Sequence, residues 1–157
     1  MLKSSLFILQ TMDFFMTEQS VDGELCIVEL FDIPGQAGQA GQDIYSNVRA
    51  KLYPLADIFL LCFDVMSPDS FLNLRRKFVP EIEGLSPGTP FILVGTKSDL
   101  GEKFATKELG SRLARTVGAI SYLECSSLTN HGVSNVFQEV EYNVIYQLDH
   151  SSFPSIQ

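Results

Sequence analysis

PFILVGTKSDL, residues 90–100, decides how the rest of the chain is read. Pro90–Gly95 is a short, continuous apolar run, closed by the polar loop Thr96-Lys97-Ser98-Asp99. A run of that length, with no polar face, predicts a strand buried on both sides in a parallel sheet. Ala56–Val65 (ADIFLLCFDV) has the same form, and Tyr122–Cys125 is a shorter third instance. Helical patterns lie between the runs. Ser67-Pro68-Asp69 supplies a hydroxyl N-cap, a proline at the first helical position and an acid at the positive dipole end. That helix is expected to reach about Leu85, before Pro87-Gly88, and a second one, capped by Thr106, is expected to end before Gly118. Val133, Val136, Phe137, Val140 and Val144 form an apolar stripe on a last helix, to be packed on the sheet. Upstream, Phe14–Ser20 and Glu24–Phe31 flank Val21-Asp22-Gly23, whose Asp-Gly marks a hairpin turn. The alternation predicts an α/β fold: a mostly parallel sheet with one antiparallel edge hairpin. Ligands in such folds sit at the carboxyl ends of the strands. The residues that matter then follow Phe31, Val65, Val94 and Glu124.

Composition narrows the partners. The 157 residues fit one domain, and 45% hydrophobic content with 12 Phe and 5 Tyr supports a packed core. A net charge of −8 repels phosphate backbones and anionic headgroups, which argues against nucleic acid and membrane surfaces as partners. It leaves room for a small phosphorylated ligand held by backbone N–H groups. Cys26, Cys62 and Cys125 are widely spaced in apolar stretches and read as free, buried thiols suited to a reducing compartment. His131 and His150 are isolated, so no side-chain metal cluster is expected. The longest apolar run, Ile58–Phe63, is too short to span a bilayer, and the start lacks a cleavage site. Pro154-Ser155-Ile156-Gln157 carries no cysteine to prenylate. The expectation is a cytoplasmic chain without an intrinsic membrane anchor, its domain covering 1–150 and a tail covering 151–157.

Three strand-end loops form a set. Asp32-Ile33-Pro34-Gly35-Gln36 follows Phe31, Thr96-Lys97-Ser98-Asp99 follows Gly95, and Cys125-Ser126-Ser127 follows Glu124. In this order they resemble the D-x-x-G, [N/T]-K-x-D and S-A-K-type loops of the small GTPases. LYPLADIFLLCFDVMSPDSF, FVPEIEGLSPGTPFILVGTKSDL and VGAISYLECSSLTNHGVSNVFQEV narrow the resemblance to the Rho family, over roughly Thr11 to Ile145. The resemblance implies a P-loop-NTPase-like G domain that binds GTP or GDP with Mg²⁺. Asp99 would accept two hydrogen bonds from guanine N1–H and the 2-amino group, and Lys97 would lay its methylene stem along the base. Thr96 stands where most small GTPases carry Asn. Ser126 and Ser127 match the Ser-Ala pair whose backbone N–H meets guanine O6.

The phosphate side departs from the family. No G-x-x-x-x-G-K-[ST] motif occurs in these residues, so the first strand is expected to be largely missing and the domain incomplete at its front. Lys3-Ser4-Ser5-Leu6 looks like the tail of such a motif, which would make Lys3 and Ser4 phosphate contacts and Ser4 a Mg²⁺ ligand. The alternative takes Lys3 as a solvated lysine and Leu6–Leu9 as a loose substitute for a strand. Thr11 would stand for the switch threonine on Mg²⁺, with Asp32 assisting and Gly35 donating its N–H to the phosphate. Gly-Gln-Ala repeats from Gly35 to Gln42 make two catalytic glutamines available. Gln36 fits counting forward from Asp32, and Gln42 fits counting back from Tyr45, Tyr53-Pro54 and Asp57. Between Asp99 and Ser126 there is room for one helix, not for the insert helix typical of Rho proteins. Losing several phosphate contacts worth ~1.5–3 kcal/mol each would bring a nanomolar ligand to about 0.1 mM. Two functions stay open: a Rho-like GTP-hydrolysing switch meeting effector, GAP and exchange-factor proteins, or a catalytically dead pseudo-GTPase or fragment working through protein contacts.

Overall fold

The computed structural model describes the backbone of residues 2–8, 13–21, 24–33 and 45–151. Side chains are described at 14–16, 18, 27–33 and 45–144. Six strands form one sheet: β1 (Leu2–Ile8), β2 (Asp13–Val21), β3 (Glu24–Asp32), β4 (Ile58–Asp64), β5 (Phe91–Thr96) and β6 (Tyr122–Glu124). Their spatial order is β2-β3-β1-β4-β5-β6. β2 pairs antiparallel with β3, and every other pairing is parallel. The α/β sheet with one antiparallel edge pair is therefore as expected, and the strands at 58–64, 91–96 and 122–124 fall where the apolar runs put them.

The central position, expected to be largely missing, is filled. Leu2–Ile8 pairs with β3 from Leu2↔Cys26 to Ile8↔Asp32 and with β4 from Leu6↔Ile58 to Ile8↔Leu60. The ladder uses main-chain groups only, so the polar triplet Lys3-Ser4-Ser5 can stand in a strand as well as apolar residues do. Reading that triplet as the end of a phosphate motif hid the strand.

Strict alternation along β4 and β5 builds two cores. Phe59, Leu61, Phe63, Phe91 and Leu93 point to one face, where they meet Tyr53, Phe71, Leu74, Val79, Ile82 and Leu113 from the helices. Ile58, Leu60, Ile92 and Val94 point to the other, where α5 (Val133–Ser151) lays down Val136, Val140 and Val144. Each fully buried side chain of this size contributes ~1.5–3 kcal/mol. The expected stripe on the last helix is thus the seam of the second core.

Start signals hold where they were expected. Ser67 accepts the Ser70 N–H at the start of α2 (Pro68–Asn73), and Thr106 accepts the Leu109 N–H at the start of α4 (Lys107–Val117), which Gly118 ends with φ 75°. The helix expected to run through to Leu85 instead widens by one residue at Leu74–Phe78, where the Val79 N–H bonds Leu74 C=O, before α3 (Val79–Leu85) continues it. Pro80 is the physical cause: it has no N–H to donate, and its ring would crowd a regular turn before it. Another helix, α1 (Ser46–Leu52), runs on into a 3-10 turn at Tyr53–Leu55 and docks through Arg49. Its Nε lies 2.5 Å from Glu81 Oε1, with the Arg49 side chain 1% exposed. One helix, α4, occupies the stretch between β5 and β6, in keeping with the missing insert helix.

Candidate functional site

The carboxyl ends of β4, β5 and β6 carry loops stitched to one another. Asp64 and Thr96 are paired in register, and the Val65 N–H donates to Thr96 C=O at 3.2 Å. The Thr96 hydroxyl donates back to Phe63 C=O at 2.9 Å. Lys97 then takes φ 59°, a left-handed conformation costing a non-glycine residue ~1–3 kcal/mol. The turn is held by Leu100 N–H on Lys97 C=O (3.1 Å) and Ser98 N–H on Cys125 C=O (3.1 Å). Strain kept in place by surrounding bonds is common where backbone must present side chains to a ligand.

The β6 loop closes on the same point. The Cys125 N–H donates to Gly95 C=O at 2.8 Å, and Ser126 N–H donates to His131 C=O at 2.9 Å. The Ser126 hydroxyl, fully buried, donates to Asp99 Oδ1 and accepts the Thr129 N–H at 3.2 Å. A surface carboxylate is thereby fixed by a buried hydroxyl from another loop. Gly132 permits this closure: at φ 71°, a Cβ there would lie 2.3 Å from Glu124 C=O.

Beneath the loops, the Tyr122 hydroxyl donates to Glu124 Oε1 at 2.9 Å, and Lys103 Nζ meets Glu124 Oε2 at 2.6 Å. Burial raises the Tyr122 phenol, and the Glu124 hydrogen bond and charge add to that. The ring needs two glycines, since a Cβ at Gly95 or Gly110 would come within 2.6 or 2.3 Å of it. At the rim, Lys97 Nζ lies 2.6 Å from Asp64 Oδ2. Burial pushes the Asp64 carboxyl up, but the Lys97 hydrogen bond, the Met66 N–H and the Lys97 charge bring it below its ordinary value.

Residues 5–146 match the Ras family. The chain belongs to the Ras family. That match begins within β1, spans the other five strands and ends within α5, so the small-GTPase fold is shared along nearly the whole chain.

The structure brings Thr96, Lys97, Asp99, Ser126 and Ser127 to one end of the sheet. Asp32 ends β3 at that same end, opposite Ile8. Lys3 and Ser4 do not reach it, which corrects their expected place in a phosphate loop. They pair with Ile27 and Val28 inside the sheet. At ~3.3 Å per residue, Ser4 lies on the order of 13 Å back from the strand's carboxyl end. The backbone of Ser4 therefore stands along the strand, while Asp32 ends its own strand opposite Ile8. Thr11, Gly35, Gln36 and Gln42 lie outside the described residues. Among the described residues, no helix is long and apolar enough to cross a membrane.

Two residues at this end were missed from sequence. Leu128, just past Ser127, is 84% exposed, an unusual state for leucine and the kind of apolar surface a planar base can cover. Asp64 looked like the end of an apolar run, and its partner lies 33 residues away. A cavity of about 410 Å³, lined by Phe14, Phe31, Asp32, Ile33, Val48 and Leu52, includes Asp32 but no residue of the β5 and β6 loops.

Proposed function

We propose that this Ras-family chain is Rho-like and that its β5 and β6 loops read guanine in GTP or GDP. Asp99 takes the N1–H and 2-amino group, Lys97 and Leu128 flank the base, and the Ser126-Ser127 main chain faces O6. The observation that carries this reading is the Ser126 hydroxyl bonded to Asp99, which orients the carboxylate before any ligand arrives. Pre-orientation lowers the entropic cost of binding. Thr96 does the same for Lys97 through its bond to Phe63 C=O.

As a molecular switch, the chain would hydrolyse GTP by water attack positioned by Gln36 or Gln42. Mg²⁺ enters as the ion accompanying the phosphates, with Asp32 and Thr11 as its ligands from this chain. Effector, GAP and exchange-factor proteins are the partners this reading implies, in a cytoplasmic setting. The domain unit is residues 1–150, followed by a tail at 151–157.

A second reading is favoured by one specific observation: Lys3 and Ser4 lie within β1 rather than after it. Without their phosphate contacts the chain acts as a pseudo-GTPase, keeping the base site and hairpin and working through protein contacts. Titration of fluorescent GDP with Mg²⁺ separates the two. The switch requires sub-micromolar binding and GDP release from GTP, whereas binding only near 0.1 mM or weaker supports the second.

A further inference from the structure

We infer that Asp64 is a positioning residue for Lys97, an anchor supplied by β4 that sets the base-facing side chain from behind. The inference rests on the guanine reading of the β5 and β6 loops. Asp64 is itself fixed on three sides. Its N–H donates to the Ser70 hydroxyl at 3.1 Å, and that hydroxyl donates to its C=O at 3.2 Å. Its Oδ1 accepts the Met66 N–H at 2.8 Å. Those bonds leave Oδ2 aimed at Lys97 Nζ, 2.6 Å away.

The register explains the reach. Asp64 sits opposite Thr96, one residue before Lys97, and the left-handed turn at Lys97 sends its side chain across the strand ends. A lysine stem has four rotatable bonds and, 59% exposed, would sample many rotamers in water. Tethering the ammonium at Asp64 draws the methylene stem from the β5 end towards β4.

The charge of Asp64 opposes phosphate, so the neutral nucleoside is the informative probe. Guanosine and adenosine are titrated into the full chain and into Asp64→Asn, followed by backbone amide shifts, in low and in about 0.5 M salt. Asparagine retains an acceptor for the Met66 N–H while losing the charge. The expected result is guanosine binding about threefold to fivefold weaker in Asp64→Asn at low salt, with the difference vanishing at high salt. Asp64→Glu, which keeps the charge, is expected to recover the salt-sensitive part. Equal affinity of Asp64→Asn and wild type overturns the inference and leaves the base site standing. Equal weakening in both variants, indifferent to salt, overturns it in favour of the Met66 turn. Failure of the wild type to prefer guanosine over adenosine removes the base-site reading and this inference together.

Discussion

The two sides of the strand-end surface differ in how they are made. On the β5–β6 side, the Thr96, Asp99 and Ser126 loops are held by side chain and main chain, above a half-buried Tyr122–Glu124–Lys103 network. On the β1–β3 side, Lys3 and Ser4 are part of a strand, and among the described residues Asp32 is the candidate at the strand end. On the proposed reading, the contrast separates base recognition from phosphate chemistry in this fold. Recognition is assembled by loops whose bonds close among themselves. Phosphate binding needs a loop of backbone N–H groups of a particular sequence, and a strand alone does not provide it.

The largest expected effect falls on the β5–β6 side. Asp99→Ala removes two charge-assisted bonds to guanine, each worth ~1.5–3 kcal/mol, so guanine-nucleotide affinity should drop by about 10² to 10⁴-fold. Isothermal titration checks it, and the preference over adenine should disappear with it. An unaltered preference would mean that the base is read elsewhere. Next in size is Arg49→Met, which strands Glu81 at the α1–α3 contact. Urea unfolding should show a loss of ~3 kcal/mol, with amide shifts at Thr96–Asp99 unmoved. Shifts spreading into those loops would show the two sides to be one mechanical unit.

Gly132→Ala is expected to cost ~1–3 kcal/mol, through a positive φ and a contact with Glu124 C=O. It should also weaken guanosine binding, because it pries His131 C=O from the Ser126 N–H. Unchanged unfolding midpoints would contradict the described closure. The smallest effect is alkaline. Burial, with Cys125 and Asp32 nearby, pushes the Cys62 thiol up to about 12 from 9.0. A raised value in the folded state means stability present below pH 9.0 and lost as pH climbs towards 12, since the unfolded thiol ionises first. Between about pH 9 and 10 the loss from this thiol should be ~1 kcal/mol. Alkylation of native Cys62 at neutral pH should be slow and should accelerate on unfolding.

Legibility in the sequence followed the same divide. Ile58–Asp64 and Phe91–Thr96 were readable because apolar side chains on both faces leave an unbroken run, and Ser67 and Thr106 because a cap is a local event. Thr-Lys-x-Asp and Ser-Ser were readable as a set, through their resemblance to small GTPases. β1 was obscured because Lys3-Ser4-Ser5 has no apolar pattern and mimics a loop motif. The widened turn at Leu74–Phe78 follows from Pro80 only once a helix on both sides of it is known. The Asp64–Lys97 pair needed the β4–β5 register, which no local pattern encodes.

The most direct test of the central claim, a working guanine site, uses neutral nucleosides and so bypasses the phosphate side. Titration of guanosine into isotope-labelled protein should move the amides of Lys97–Leu100 and Ser126–Thr129, and adenosine should leave them in place. Equal responses to the two nucleosides, or none to either, would contradict the account.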